Sequence, residues 1–137
     1  MANQTVKTQD FTTNRGPQPK GHSIVLSAKT IIDDSVRNEA GEDLGTIKEL
    51  MIDLQRGRIA YAVLSFGGFL GMRDKLFAIP WEALSIRPFE HAFVLNVDKK
   101  VLERAPGFDK DKWPDMADPQ WGRDIYSHYG YKPYWES

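Results

Sequence analysis

The chain has 137 residues, of which 41% are apolar and 27% charged, with 18 Lys and Arg against 19 Asp and Glu and no cysteine. That length supports one domain with extensions and leaves little room for two independent cores. The net charge of -1 provides no general field toward nucleic acid or an anionic membrane, and the lack of cysteine excludes disulfides, thiolate metal clusters and a cysteine nucleophile.

Residues 1–23 are polar and punctuated by Pro17, Pro19 and Gly21, too poor in apolar groups to offset the entropy of ordering, so a flexible tail is expected. This segment has no secretory apolar core. No run in the chain approaches the ~18 apolar residues of a membrane span, so a soluble cytoplasmic protein is expected.

Residues 24–105 read as short β segments separated by turn chemistry. "IVLSAKTII" and "SVRN" are strand-like, and Gly41 and Gly45 in "EAGEDLG" permit a tight reversal. In "TIKELMIDL" the apolar set changes parity between Ile47 and Leu50, Ile52 and Leu54, which predicts a β-bulge or sharp bend. "QRGR" is a hairpin turn at Gly57, and "IAYAVLSF" is apolar on both parities, as a strand covered on both sides would be. "KLFAIPW" should end at Pro80 or lie at an edge, since proline donates no ladder hydrogen bond. "SIRPF" and "HAFVLNV" complete about six short strands, and the expected fold is mainly β, a small antiparallel and partly open barrel.

Residues 106–137 form an aromatic-rich extension after a short helix "KKVLERA", capped by Asp98, with Val101, Leu102 and Ala105 as its apolar stripe. A second helix is expected near 119–129, with Asp118 as N-cap, Pro119 at the first helical position and Gly130 past the end. Trp121, Ile125 and either His128 or Tyr129 would share its apolar face.

Gly41 and Gly45 around the first hairpin, "IKELMID" with Asp53, "GRIAYAVLS" and "FAIPWEAL" together resemble the PRC-barrel domain over roughly residues 28 to 105. That family includes the cytoplasmic domain of the photosynthetic reaction centre H subunit and a domain of a ribosome maturation factor. The C-terminal "APGFDKDKWPDMADPQWGRDIYSHYG" is similar to an extension on free-standing bacterial members. The resemblance implies a binding or assembly module and carries over no catalytic residue. Neither the membrane anchor of the first nor the preceding partner domain of the second is expected here, so the specific roles of those two proteins are not implied.

Gly67, Gly68 and Gly71 lie in "GGFLGMRDKLFAIPW", which leads into another strand with no Gly-Lys-Ser/Thr, so neither phosphate-binding glycine motif is satisfied. Asp109, Asp111, Asp115 and Asp118 fail the calcium-loop pattern because Trp113 and Pro114 occupy its fifth and sixth positions. His22, His91 and His128 have no partner at helical zinc spacing. No catalytic, cofactor or metal residue is therefore assigned. The candidate interaction surface is Phe69 and Leu70 at the loop tip with Trp113, Trp121, Ile125, Tyr126, Tyr129 and Trp135. Phe69 and Leu70 would either fold back onto the barrel or form an exposed contact patch, and the tail aromatics would wrap their own barrel, pack across a homodimer or form a carbohydrate or nucleobase stacking platform. The expected function is a non-enzymatic protein-binding, assembly or scaffolding module, homodimeric, with a protein partner. The alternatives are an RNA- or ribosome-associated factor and a small-molecule-binding protein or enzyme.

Overall fold

A computed structural model describes residues 24–67 and 75–136. The expected N-terminal tail and the loop-tip pair Phe69 and Leu70 lie outside the described residues. Six strands, β1 (Ser35–Arg37), β2 (Asp43–Asp53), β3 (Arg58–Phe66), β4 (Lys75–Pro80), β5 (Leu84–Arg87) and β6 (Ala92–Leu95), form one curled sheet in the order β4-β3-β2-β1-β6-β5. Three α-helices accompany them among the described residues: α1 (Ala28–Ile31), α2 (Lys99–Glu103) and α3 (Pro119–His128).

Two local expectations change. "IVLSAKTII" contains the single-turn helix α1 in place of a strand, because the Ser27 side chain captures the Thr30 N–H at 3.1 Å and starts a turn. Val25 stays exposed and Ile31 alone within α1 is buried. The sheet is also not wholly antiparallel. β1 pairs with β6 in parallel, Val36 opposite Phe93, while the other four pairings are antiparallel.

The bend predicted in β2 is built from register shifts. Leu44 and Lys48 are extra residues against β1 and β3 respectively. Each insertion turns the strand by one face, so Leu44, Ile47 and Leu50, spaced by three, all reach the same core. Gly45 sits between the insertions at φ +120°, and a Cβ there would lie 2.1 Å from the Ser65 carbonyl oxygen on β3. Only glycine fits both that backbone and that approach.

The core enclosed by the curl contains Val36, Leu44, Ile47, Leu64, Phe77 and Phe93, closed at one end by Leu102 of α2 and by Ala105. Asp98 occupies the N-cap position of α2 without a side-chain cap bond, and Val101 is partly exposed, so the α2 stripe narrows to Leu102. Pro80 ends β4, which is an edge strand, and Trp81 then packs on Phe93 with ring centroids 5.8 Å apart. β3 is buried along most of its length on both sides, as its sequence requires.

Its second side is covered by the C-terminal segment. Phe108 exchanges two backbone hydrogen bonds with Leu76 of β4, at 2.8 and 3.0 Å, and so attaches the segment to the free edge of the sheet. α3 follows with the predicted signals in place: Asp118 Oδ1 accepts from Gln120 N, Pro119 opens the helix, and Gly130 follows it at φ +83°.

Candidate functional site

The outer surface of β2 and β3 and the C-terminal segment meet in a second cluster of Ala60, Tyr61, Ala78, Ile125 and Tyr126, ringed by Met51, Met116, Trp121, Tyr134 and Trp135. A register shift creates its anchor point. Ala60 has no opposite residue, since Met51 faces Tyr61 and Ile52 faces Ile59. The Ala60 carbonyl instead lies 3.1 Å from the Tyr126 hydroxyl, which is equally close to Glu82 Oε1. One phenolic proton serves these two acceptors.

From Glu82 a polar chain runs across the surface. Arg58 pairs with Glu82 at 2.6 Å, and its guanidinium lies 3.8 Å from the centre of the Tyr134 ring. Tyr134 donates its hydroxyl to Asp53 Oδ2 at 2.6 Å, and Arg56 donates its backbone N–H to Asp53 Oδ1 at 3.0 Å. Those bonds, Tyr134 first, hold the Asp53 carboxyl below the usual carboxylate range. Burial, with the Asp53 bond added, pushes the Tyr134 phenol up to about 12. Burial likewise raises Tyr61 and Tyr126, so both stay neutral phenols.

Aromatic contacts hold the rest. The Tyr61 ring is 5.2 Å from Trp121 and 5.6 Å from Tyr126, both edge-on, and Trp135 meets Tyr126 at 5.4 Å. Such pairs contribute ~0.5–1.5 kcal/mol beyond the area they bury. Tyr61 is 2% exposed, yet its hydroxyl has no hydrogen-bond partner among the described residues.

Beside this cluster opens a groove of about 440 Å³ between the β2–β3 hairpin and the C-terminal segment. Met51, Ile52, Leu54, Met116, Tyr134 and Trp135 supply its apolar lining, and Asp53, Arg56 and Asp118 its charged groups. Ile52 is 50% exposed and Leu54 87%. Among the described residues no group of three or more His, Cys, Asp or Glu is placed to hold a metal ion.

The expected interaction residues separate. Ile125 and Tyr126 are buried in their own fold, Tyr126 at 0% exposure, so they offer no surface to a partner. Trp121, Tyr129 and Trp135 are half-buried on the same cluster. Trp113 stands apart, exposed, its ring 5.0 Å from Phe108 and its indole N–H donated to Lys110 O. His128 points outward, which leaves Tyr129 as the third residue of the helix face. Sequence reasoning missed the groove residues Met51, Ile52, Leu54 and Met116. The sequence signal was there in part: Ile52 and Leu54 are apolar residues set directly against the Gly57 turn.

Residues 24–102 match the family model of the PRC-barrel domain. Among solved structures the chain is similar to a putative 16S ribosomal RNA processing protein, RimM, from Pseudomonas aeruginosa, at 17% identity and a TM-score of 0.38, over 61% of this chain and 50% of that chain. The present chain thus spans half the length of that relative. No curated protein matches it. Among the described residues no helix is long and apolar enough to cross a membrane.

Proposed function

Starting from the fact that this chain belongs to the PRC-barrel domain family, whose model covers more than half of it, we propose that it is a non-enzymatic, cytoplasmic module that binds another protein and assembles as a homodimer. The carrying observation is the contrast between two apolar surfaces. Trp121, Tyr126, Tyr134 and Trp135 of the C-terminal segment pack on their own sheet, whereas Ile52 and Leu54 stand exposed on the hairpin beside a groove with further apolar lining. Large apolar residues grouped in this way mark contact surfaces more often than scattered ones do.

The homodimer is assigned to a different region. Among the described residues β5 is an edge strand with β6 as its one strand neighbour, and Phe89 follows it with its side chain exposed; such an edge next to an aromatic suits pairing with an identical edge. Size exclusion with light scattering tests this part: a dimer that Phe89→Asp dissociates supports it, and a strict monomer at tens of micromolar removes it. Affinity capture from the native cell tests the binding role. Enrichment of a protein partner above control is expected, and its absence, or recovery in ribosomal fractions alone, counts against the reading.

A further inference from the structure

We infer that the groove between the β2–β3 hairpin and the C-terminal segment takes an extended segment of a partner protein in which an apolar anchor side chain neighbours a lysine or arginine. This rests on the binding-module reading and names the chemistry of its partner.

The groove has the size of a small-ligand site, ~300–1,000 Å³ being usual, but one wall is the open hairpin and its largest apolar residues point to solvent. Ile52, in the last turn-facing part of β2, and Leu54, just beyond it in the hairpin turn, both line the groove. An extended ligand lying along this open wall can set side chains on the pair and on the thioethers of Met51 and Met116, which adapt to varied shapes.

Charge selects the flank. The cation in the groove, Arg56, is already paired with Asp53 at 3.3 Å. On the opposite lip Asp118 uses Oδ1 for the Gln120 N–H, and the neighbouring Asp115 uses Oδ1 for the Ala117 N–H. Neither has an ion-pair partner among the described residues. The charge without an ion-pair partner at this lip is therefore negative, offset in part at Asp118 by the N-terminus of α3, and it favours an ammonium or guanidinium over nucleic-acid phosphates.

A polar contact is also left open. Tyr61 lines the groove, and its buried hydroxyl has no partner among the described residues. Half-buried Trp135 packs beside it over Gly122. A partner segment that shifts the indole would bring a backbone carbonyl, the acceptor this phenol lacks.

The test is selection of a random dodecapeptide display library on the full chain, followed by anisotropy titration of the recovered peptides. Recovered sequences should pair an apolar residue with a nearby Lys or Arg. Leu54→Ser should weaken them about tenfold or more, as loss of an anchor contact does. Asp118→Asn retains a good N-cap while removing the charge; it should weaken binding about two- to fivefold and flatten its salt dependence. Leu54 is exposed, so unchanged melting of both variants serves as the folding control. Recovery of no peptide, of acidic peptides, or of peptides indifferent to Leu54→Ser overturns the assignment. So does poly(U) RNA competing for the groove, or a dimer that Leu54→Ser dissociates, which would make the occupant a second copy. If cellular capture succeeds equally with Leu54→Ser, the groove falls while the binding-module reading stands.

Discussion

Gly122 and the indole of Trp135 share one space: a Cβ on Gly122 would lie 2.6 Å from Trp135 Cη2 and 2.8 Å from the Tyr61 hydroxyl oxygen. In an exposed helix interior Gly→Ala stabilises by ~1 kcal/mol. Here the methyl group must expel the indole, so Gly122→Ala is expected to destabilise by about 1–3 kcal/mol, as overpacking does, and to shift tryptophan emission to the red. A higher melting temperature with unchanged emission would contradict this packing.

Gly45 poses a harder constraint, because the obstructing atom is backbone. Gly45→Ala combines strain at φ +120° with an oxygen 2.1 Å away. A loss of about 3 kcal/mol or more is expected, in the range reserved for core disruption. Urea unfolding measures it, and a wild-type midpoint would mean that β2 and β3 can separate at this point without cost.

Tyr134→Phe keeps the ring over Arg58 and deletes the bond to Asp53. The folded-state pKa of Asp53 is depressed, so its contribution is present above the unfolded carboxylate value and is lost as pH falls through the folded one. The variant should bring the Asp53 carboxyl back toward its ordinary range. Carboxyl NMR titration reads this directly; an unchanged Asp53 titration would show that Arg56 alone sets it.

Asp34 behaves in the opposite sense. Burial, with Asp33 beside it, raises its pKa to about 7. A carboxyl whose folded pKa is raised leaves stability highest below the unfolded value, and ionisation erodes that stability as pH climbs from about 4 to about 7. Asp34→Asn should therefore melt higher than the wild type at pH 8 and similarly at pH 4. Parallel melting curves at both pH values would refute this assignment.

Deletion of residues 107–137 should lower the melting temperature or make the protein insoluble, because Tyr61 and Ala78 are covered by the segment removed. A truncated protein with the wild-type melting temperature would show that this cover adds nothing to the stability of the sheet.

Local chemistry was legible in the sequence, and distant partnership was not. Asp118, Pro119 and Gly130 define α3 from within ten or so residues, and Gly57 turns the hairpin at φ +66°. The double-sided apolar pattern of β3 announced that something covers its second side. It could not say that the cover is Tyr126, whose hydroxyl reaches back 66 positions to Ala60. Ser27 shows the converse, where one side-chain cap outweighed the strand propensity of "IVLSAKTII". The groove escaped because its walls come from both ends of the fold. Ile52 and Leu54 read as apolar residues beside a turn, but the register shift between Met51 and Ile52 breaks the parity that would have shown their side, and their exposure depends on how the C-terminal segment packs.

The parallel pairing of β1 with β6 also sets an order of events during synthesis. β2, β3 and β4 are joined by successive antiparallel neighbours and can zip together as they emerge. β1 comes first from the ribosome, yet one of its sides waits for Val36 to meet Phe93, nearly a whole barrel later. Non-local pairing of this kind slows folding. Until then the nascent chain presents an unpaired strand edge, the state in which a chaperone, or a neighbouring copy on the same message, would find it.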